Sequence, residues 1–306
     1  MKEFLIKIVL FALLIFLVDK LFIIIRNKAP EYDYDRRLEM ILEGNINKDI
    51  IILGSSRGQR NIDVQLMKDS LNTESVFNLS YGGSTPEFQG FILDQLIKNN
   101  QKPKLIIKLV DDDFELMNKG LYGNAKAFRI DRLNPLAKYQ EIRECLYVRG
   151  VKNEVLSKLF ILHQLNRSNF NLRKKGVIDT IYGAKPIEGH DSSLVWRYKS
   201  KQEYNRFNEE DLQIKNLINL QKKCLKNDIE LILATAPVFR EVNEIWIERM
   251  RQLAIPNTLF YTHEINEKAY KEKDNFADYS HLNNKGAAIY TQEIINFIKD
   301  NGLELH

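Results

Sequence analysis

Residues 49–63 read DIIILGSSRGQRNID. Four consecutive apolar residues, Ile50 to Leu53, run straight into Gly54-Ser55-Ser56. A short apolar run that ends in glycine and small polar residues predicts a parallel strand buried on both faces and followed by a tight loop. In an open α/β sheet, the loops at the carboxyl ends of strands hold the chemistry. That position makes Ser56 a candidate nucleophile, with Ser55 as its cap or support. A second anchor lies far along the chain at 276–286, FADYSHLNNKG, where Asp278 stands three residues before His281. Serine, histidine and aspartate are the three residue types of a charge-assisted nucleophile.

Outward from the first stretch, strands and helices alternate. An amphipathic helix is expected from about Asp63, offering Val64, Leu66, Met67 and Leu71 to a sheet. A second strand at 75–79 ends in Ser80-Tyr81-Gly82-Gly83-Ser84, where paired glycines permit positive φ or a close approach of backbone to ligand. A helix at 86–99 leads to a third strand at 104–110, which empties into Asp111-Asp112-Asp113. Those acids suit a helix N-terminus, whose dipole they stabilise; alternatively, Asp112 or Asp113 faces the pocket.

Between about 116 and 209 the rhythm breaks. Helices are expected at 135–149 and 153–165, followed by a polar, aromatic stretch at 185–208. So long a connection reads as an inserted cap that shapes substrate entry. His190 and Trp196 within it either line a sugar- or acyl-binding face or serve packing and surface. The alternation then returns with a helix at 210–227, a strand at 230–235, a helix at 244–253, a strand at 258–261 and a closing helix at 285–301. This pattern predicts an α/β fold with a mostly parallel five-stranded sheet, one domain over 49–302 carrying the insertion.

The first 28 residues are of another kind. Phe4 to Ile25 is nearly continuous apolar sequence, interrupted by Lys7, Asp19 and Lys20. As a helix it nearly matches the ~30 Å hydrocarbon core of a bilayer, although Asp19-Lys20 sits deep if the span ends at Ile25. No Ala-x-Ala-like site follows, which favours an uncleaved membrane anchor over a removable signal; a buried helix of a soluble protein is the rival. Basic residues flank both ends, so charge counting does not favour export of the following domain. The common layout of one N-terminal anchor feeding a large domain does favour it.

Composition narrows the classes further. The 306 residues are 44% hydrophobic and carry a formal net charge of +4. The basic patches are short and accompanied by no nucleic-acid motif, so nucleic acid is not an expected partner. Cys145 and Cys224 stand apart, outside any CxxC, and the five histidines do not cluster with them. No metal or other cofactor is implied. The two thiols are either reduced or joined in one bridge.

Taken together, Gly54-Ser55-Ser56, Asn78-Leu79-Ser80-Tyr81-Gly82-Gly83 and Asp278-x-x-His281 resemble, in order and strand-end context, the conserved blocks of the SGNH/GDSL hydrolase superfamily. The resemblance is particularly to its membrane-anchored envelope branch, which includes the DltD-like and alginate-acetylation-like proteins. The resemblance spans roughly 49–114 and 230–301. It implies a flavodoxin-like three-layer α/β/α domain with Ser56, Asp278 and His281 as the triad and the N–H groups of Ser56 and Gly83 as the oxyanion hole. The family's third block usually has an asparagine where Asp112 stands here. A carboxylate has no N–H to donate to an oxyanion, so another donor is needed, and Arg57 or Arg60 is near enough in sequence. Arg57 can instead pair with the acids after the third strand. The implied function is serine esterase or O-acyltransferase action on ester-linked acyl groups, acetyl above all, of envelope or exported polysaccharide. The implied setting is the bacterial inner membrane with the globular domain outside the cytoplasm, alongside a membrane-bound O-acyltransferase partner. The alternatives are a non-catalytic envelope assembly protein of the same fold and a lysophospholipase-like lipid esterase.

Overall fold

The run at 50–53 forms a strand (β1, Ile50–Leu53) with all four side chains fully buried. In the computed structural model the described residues are 1–33, 35–111, 115–116, 128–170, 182–196, 204–263 and 267–303. Four further strands join β1 in one parallel sheet: β2 (Val76–Asn78), β3 (Leu105–Val110), β4 (Glu230–Thr235) and β5 (Thr258–Thr262). Their order is β2-β1-β3-β4-β5, the flavodoxin-like winding, in which the chain reverses direction across the sheet between β1 and β3. Ile50 pairs with Val76 on one side and with Leu105 on the other.

Helices cover both faces. Val64–Leu71 packs with the closing helix Asn284–Asp300 on one, and Pro86–Lys98 with Asp211–Lys226 on the other. Local chemistry sets their ends. The Asp63 carboxylate accepts the Leu66 N–H at 3.0 Å, and Asn72, in the left-handed region at φ 50°, closes the same helix. Pro86 opens the next helix, where its missing N–H costs nothing. Ile50, Ile52, Leu105, Ile107, Leu109, Ile232 and Ala234 build one core with Val64, Met67, Ile294, Ile295 and Ile298. Alternate residues of the same strands face the other helix layer.

Lys108 breaks the apolar run of β3 yet has no exposed surface. Its ammonium donates to Glu115 Oε1 at 2.5 Å and to Leu109 O at 3.2 Å. Removing an ion from water costs several kcal/mol, whereas each buried aliphatic of β1 and β3 contributes ~1.5–3 kcal/mol. The strand tolerates one charged pair.

The chain divides into two compact units, Glu43–Phe128 with Asp179–His306, and Met1–Leu42 with Arg129–Ile178. The expected single insertion at 116–209 is therefore split. Residues 129–178 belong with the N-terminal segment, and 179 onward belong with the sheet. Contacts between distant segments decide this, and hydropathy does not display them. The Asp19 carboxylate accepts the N–H groups of Ile161 and Leu162 at 2.7 and 2.9 Å, and Glu39 takes Lys138 at 2.8 Å. The first helix, Lys2–Lys28, is long and apolar enough to cross a membrane, with mean hydropathy 2.9 over its most apolar window.

Candidate active site

Ser56 opens a five-residue helix, Ser56–Arg60, immediately beyond β1. The cap is Ser55, whose Oγ accepts the Arg57 N–H at 3.4 Å. The Ser56 hydroxyl is thus spared capping duty. Gly58 lets the helix lie close to the loop after β2, because a Cβ there would come 2.5 Å from Ser80 Oγ and 3.4 Å from Leu53 O. Asn78, at the end of β2 and fully buried, donates to Gly58 O at 2.8 Å and accepts the Ser80 N–H at 2.9 Å. It ties the first two loops together.

The second anchor forms a small antiparallel hairpin of β6 (Phe276–Asp278) and β7 (His281–Leu282). Asp278 turns back on its own backbone, its Oδ1 accepting the N–H groups of Ser280 at 2.7 Å and His281 at 3.0 Å. The same carboxylate meets His281 Nδ1 at 2.8 Å through Oδ2 and 2.9 Å through Oδ1. On the far side of the ring, His281 Nε2 lies 2.8 Å from Ser56 Oγ. A carboxylate beside Nδ1 keeps the proton there and turns the Nε2 lone pair toward the hydroxyl. Partial burial opposes charge on Asp278, but the hydrogen bond from the His281 ring, its electrostatic attraction and the two backbone N–H groups together hold the carboxyl below the usual carboxylate range. Two bonds fix the hairpin to the rest of the site: Leu282 N–H donates to the buried Asn61 Oδ1 at 3.1 Å, and Asn283 caps the closing helix through Gly286 N–H at 3.1 Å.

The loop after β2 passes close to Ser56. Tyr81 N–H donates to Gly54 O at 3.1 Å, and Ser84 N–H closes a turn onto Tyr81 O at 2.9 Å. Gly83 takes the turn's left-handed position at φ 72°. Gly82 is the residue against Ser56, since a Cβ on it would lie 3.7 Å from Ser56 Cβ. Sequence reading singled out Gly83 and passed over Gly82; the paired glycines were the available signal.

Arg57 is buried, with Nη1 4.0 Å from Asp111 Oδ1. The structure thus sets it beside the first acid after β3. Glu115, which holds Lys108, also accepts the Asp111 N–H at 3.0 Å through Oε2, so the buried pair also holds Asp111, the acid beside Arg57. Burial, and then the nearby Arg57 charge, push the Arg240 guanidinium down from its ordinary value. Asp112 and Asp113 lie outside the described residues.

Residues 182–196 run beside all three loops. Asn78 N–H donates to Tyr182 O at 2.9 Å, Lys185 N–H to Gln59 O at 2.8 Å, and Asn284 N–H to Ile187 O at 3.0 Å. Trp196 packs edge-on against Phe239 at 5.3 Å between ring centroids, as part of the core's margin. His190 is half exposed, 3.8 Å from Asp274. Among the described residues no group of three or more histidine, cysteine or acidic side chains is arranged to hold a metal ion. Cys145 and Cys224 are both free thiols.

No protein-family model matches this chain, and no curated protein matches its sequence. The chemistry of the site is therefore read from its own groups: a hydroxyl, an imidazole positioned to take its proton, a carboxylate positioned to hold that imidazole, and a glycine turn alongside. Such a set can attack an acyl carbon.

Proposed function

We propose that this chain is a serine esterase or O-acyltransferase of the SGNH/GDSL type, acting on ester-linked acyl groups through Ser56, His281 and Asp278. The observation that carries the reading is the 2.8 Å separation of Ser56 Oγ from His281 Nε2, with Asp278 on the other ring nitrogen at 2.8 Å. As Ser56 Oγ bonds to the ester carbon, His281 takes its proton, and the carbonyl oxygen becomes an oxyanion facing the N–H groups of Ser56 and Gly83. Collapse breaks the bond from carbon to the leaving oxygen, which departs with the proton from His281 and leaves an acyl-serine. Water or a sugar hydroxyl then attacks with His281 again as base. Collapse returns the proton to Ser56 and releases an acid or a new ester.

The helix Lys2–Lys28, long and apolar enough to cross a membrane, supports an anchor; the proposal sets it as a single pass in the bacterial cytoplasmic membrane, with the α/β unit on the outer side beside acylated envelope or exported polysaccharide, after the common layout of one N-terminal anchor feeding a large domain. The decisive test is fluorophosphonate labelling of the full-length protein and of Ser56→Ala. Covalent label on the parent and none on the variant is the expected result; equal labelling of both refutes the assignment of Ser56. Release of acetate from an acetylated polysaccharide, with and without a sugar acceptor, separates hydrolysis from transfer. Protease protection in oriented vesicles tests the side of the membrane.

A further inference from the structure

The N-terminal unit contains a short helix built inside out. In Glu154–Leu159 the one buried side chain is Ser157, with no exposed surface, while Val155 is 66% and Leu159 51% exposed. The following turn repeats it in part, with Leu165 turned inward. Gln164 is buried and Leu162 is exposed. The polar groups bond inward: Gln164 Nε2 donates to Ser157 O at 2.6 Å, and Gln164 Oε1 accepts from Arg26 at 2.8 Å. A helix facing water alone would present the opposite faces. Val155, Leu156, Leu159 and Leu162 thus stand outside beside the exposed charges of Glu154 and Lys158, over a hydrogen-bonded polar interior, the mixed apolar and charged surface of an interfacial helix.

This segment lies alongside the apolar helix at a definite level. Phe160 packs edge-on against Phe16 at 6.2 Å, Lys20 donates to Leu159 O at 2.5 Å, and Phe22 meets Phe170 at 6.1 Å. From Phe16 to Arg26 the segment therefore follows the helix over ~15 Å at 1.5 Å per residue. The exposed side chains of Leu13, Leu14, Leu17, Leu21 and Ile24 adjoin this level on the long helix. The Asp19-Lys20 pair, too deep for a bare span, thus has protein partners where the apolar run needs them. Between 149 and 167 the chain carries Arg149, Lys152, Lys158 and Arg167 against a single acid, Glu154.

We propose that residues 154–170 form a lipid-seated platform, lying in the headgroup–acyl boundary of an anionic membrane beside the anchor and placing Val155, Leu156, Leu159 and Leu162 among acyl chains. The proposal rests on the reading of Lys2–Lys28 as membrane-crossing, and its test separates the two. Full-length protein carrying Cys145→Ser is given one cysteine at Leu156, Leu159 or Leu10; Cys224 stays, being buried with its thiol pushed up to about 12. Each cysteine is labelled with an environment-sensitive fluorophore. The protein is then reconstituted into vesicles of phosphatidylcholine and phosphatidylglycerol with bromine high or low in the acyl chains. Loss of fluorescence at Leu156 and Leu159 with bromine placed high, and at Leu10 with bromine placed low, is the expected result. Quenching at Leu10 without quenching at Leu156 and Leu159 overturns the platform and leaves the anchor standing. A blue shift at Leu159 without bromine quenching means that protein covers the patch, which also overturns the proposal. Absence of quenching at all three positions removes both readings.

Discussion

Asp278→Asn is the substitution whose consequence the geometry dictates most fully. Oδ1 of Asp278 accepts two backbone N–H groups, at 2.7 and 3.0 Å. An asparagine in the same place must keep its carbonyl oxygen there, because its NH2 cannot accept. The NH2 then occupies the Oδ2 position, 2.8 Å from His281 Nδ1. The NH2 opposes a proton on Nδ1, in competition with Oδ1, which lies 2.9 Å from the same nitrogen; where the NH2 prevails, the ring proton moves to Nε2, and that nitrogen donates to Ser56 Oγ when it should accept. Tautomer inversion of this kind in a buried serine triad lowers turnover by about 10⁴. The Asp278 side chain is 48% exposed, so water moderates the electrostatic share and a loss of about 10³ is expected, roughly 4 kcal/mol at 1.36 kcal/mol per decade. The assay is kcat/KM on a nitrophenyl acetate, beside the rate of fluorophosphonate labelling, with circular dichroism to confirm an intact fold. Turnover within about threefold of the parent would refute the reasoning, for it would mean that His281 finds its tautomer without the carboxylate.

Other expected outcomes concern the frame around the site. His263 is buried among Tyr270 and Tyr290, and burial pushes its pKa down to about 4. The unfolded chain binds that proton at its ordinary value near 6.5, so the stability contributed by the neutral ring is complete above that pH. It is lost as pH falls from there toward 4, by about 3 kcal/mol. His263→Phe should flatten that part of the urea-midpoint profile. Gly286→Ala places a Cβ onto Asn275 O and within 2.9 Å of Leu282 Cδ2; a loss of ~1–3 kcal/mol in urea denaturation and weaker labelling of Ser56 are expected. Asn61→Ala strands the buried Leu282 N–H beside His281, which should cost ~1–3 kcal/mol and lower kcat more than it raises KM. Holding Asp278 below the usual carboxylate range contributes stability that is present above its ordinary pKa, near 3.8. That contribution is lost as pH falls through the lower folded-state value, and the Asp278→Asn variant should lack this part of the acid transition.

Three of the five strands were legible because a doubly covered parallel strand is apolar on both faces, and 50–53, 104–110 and 230–235 announce themselves by that alone, whereas β2 and β5 lie at the sheet's edges and are less completely buried. Each begins and ends within a residue or two of the observed β1, β3 and β4. Ser56, Asp278 and His281 were legible as residue types at strand ends in a given order. Gly82 and Asn61 were not, because neither periodicity nor spacing marks a residue whose importance is a contact with a partner such as Leu282, 221 positions away. The hairpin β6–β7 is too short to display an alternation. Lys108 read simply as part of a strand, since the acid that neutralises it comes from the loop beyond.

Local physics written in the chain therefore specifies the elements: runs of apolar residues, caps such as Asp63 and Asn283, glycines where backbone must pass close, and one long apolar helix. Tertiary packing alone decides that an imidazole and a hydroxyl 225 residues apart meet at 2.8 Å, that Arg57 faces Asp111, and that residues 129–178 join the N-terminal helix and leave the sheet. A side chain's environment is the sum of contacts from segments remote in sequence, and only closure of the fold brings those segments together.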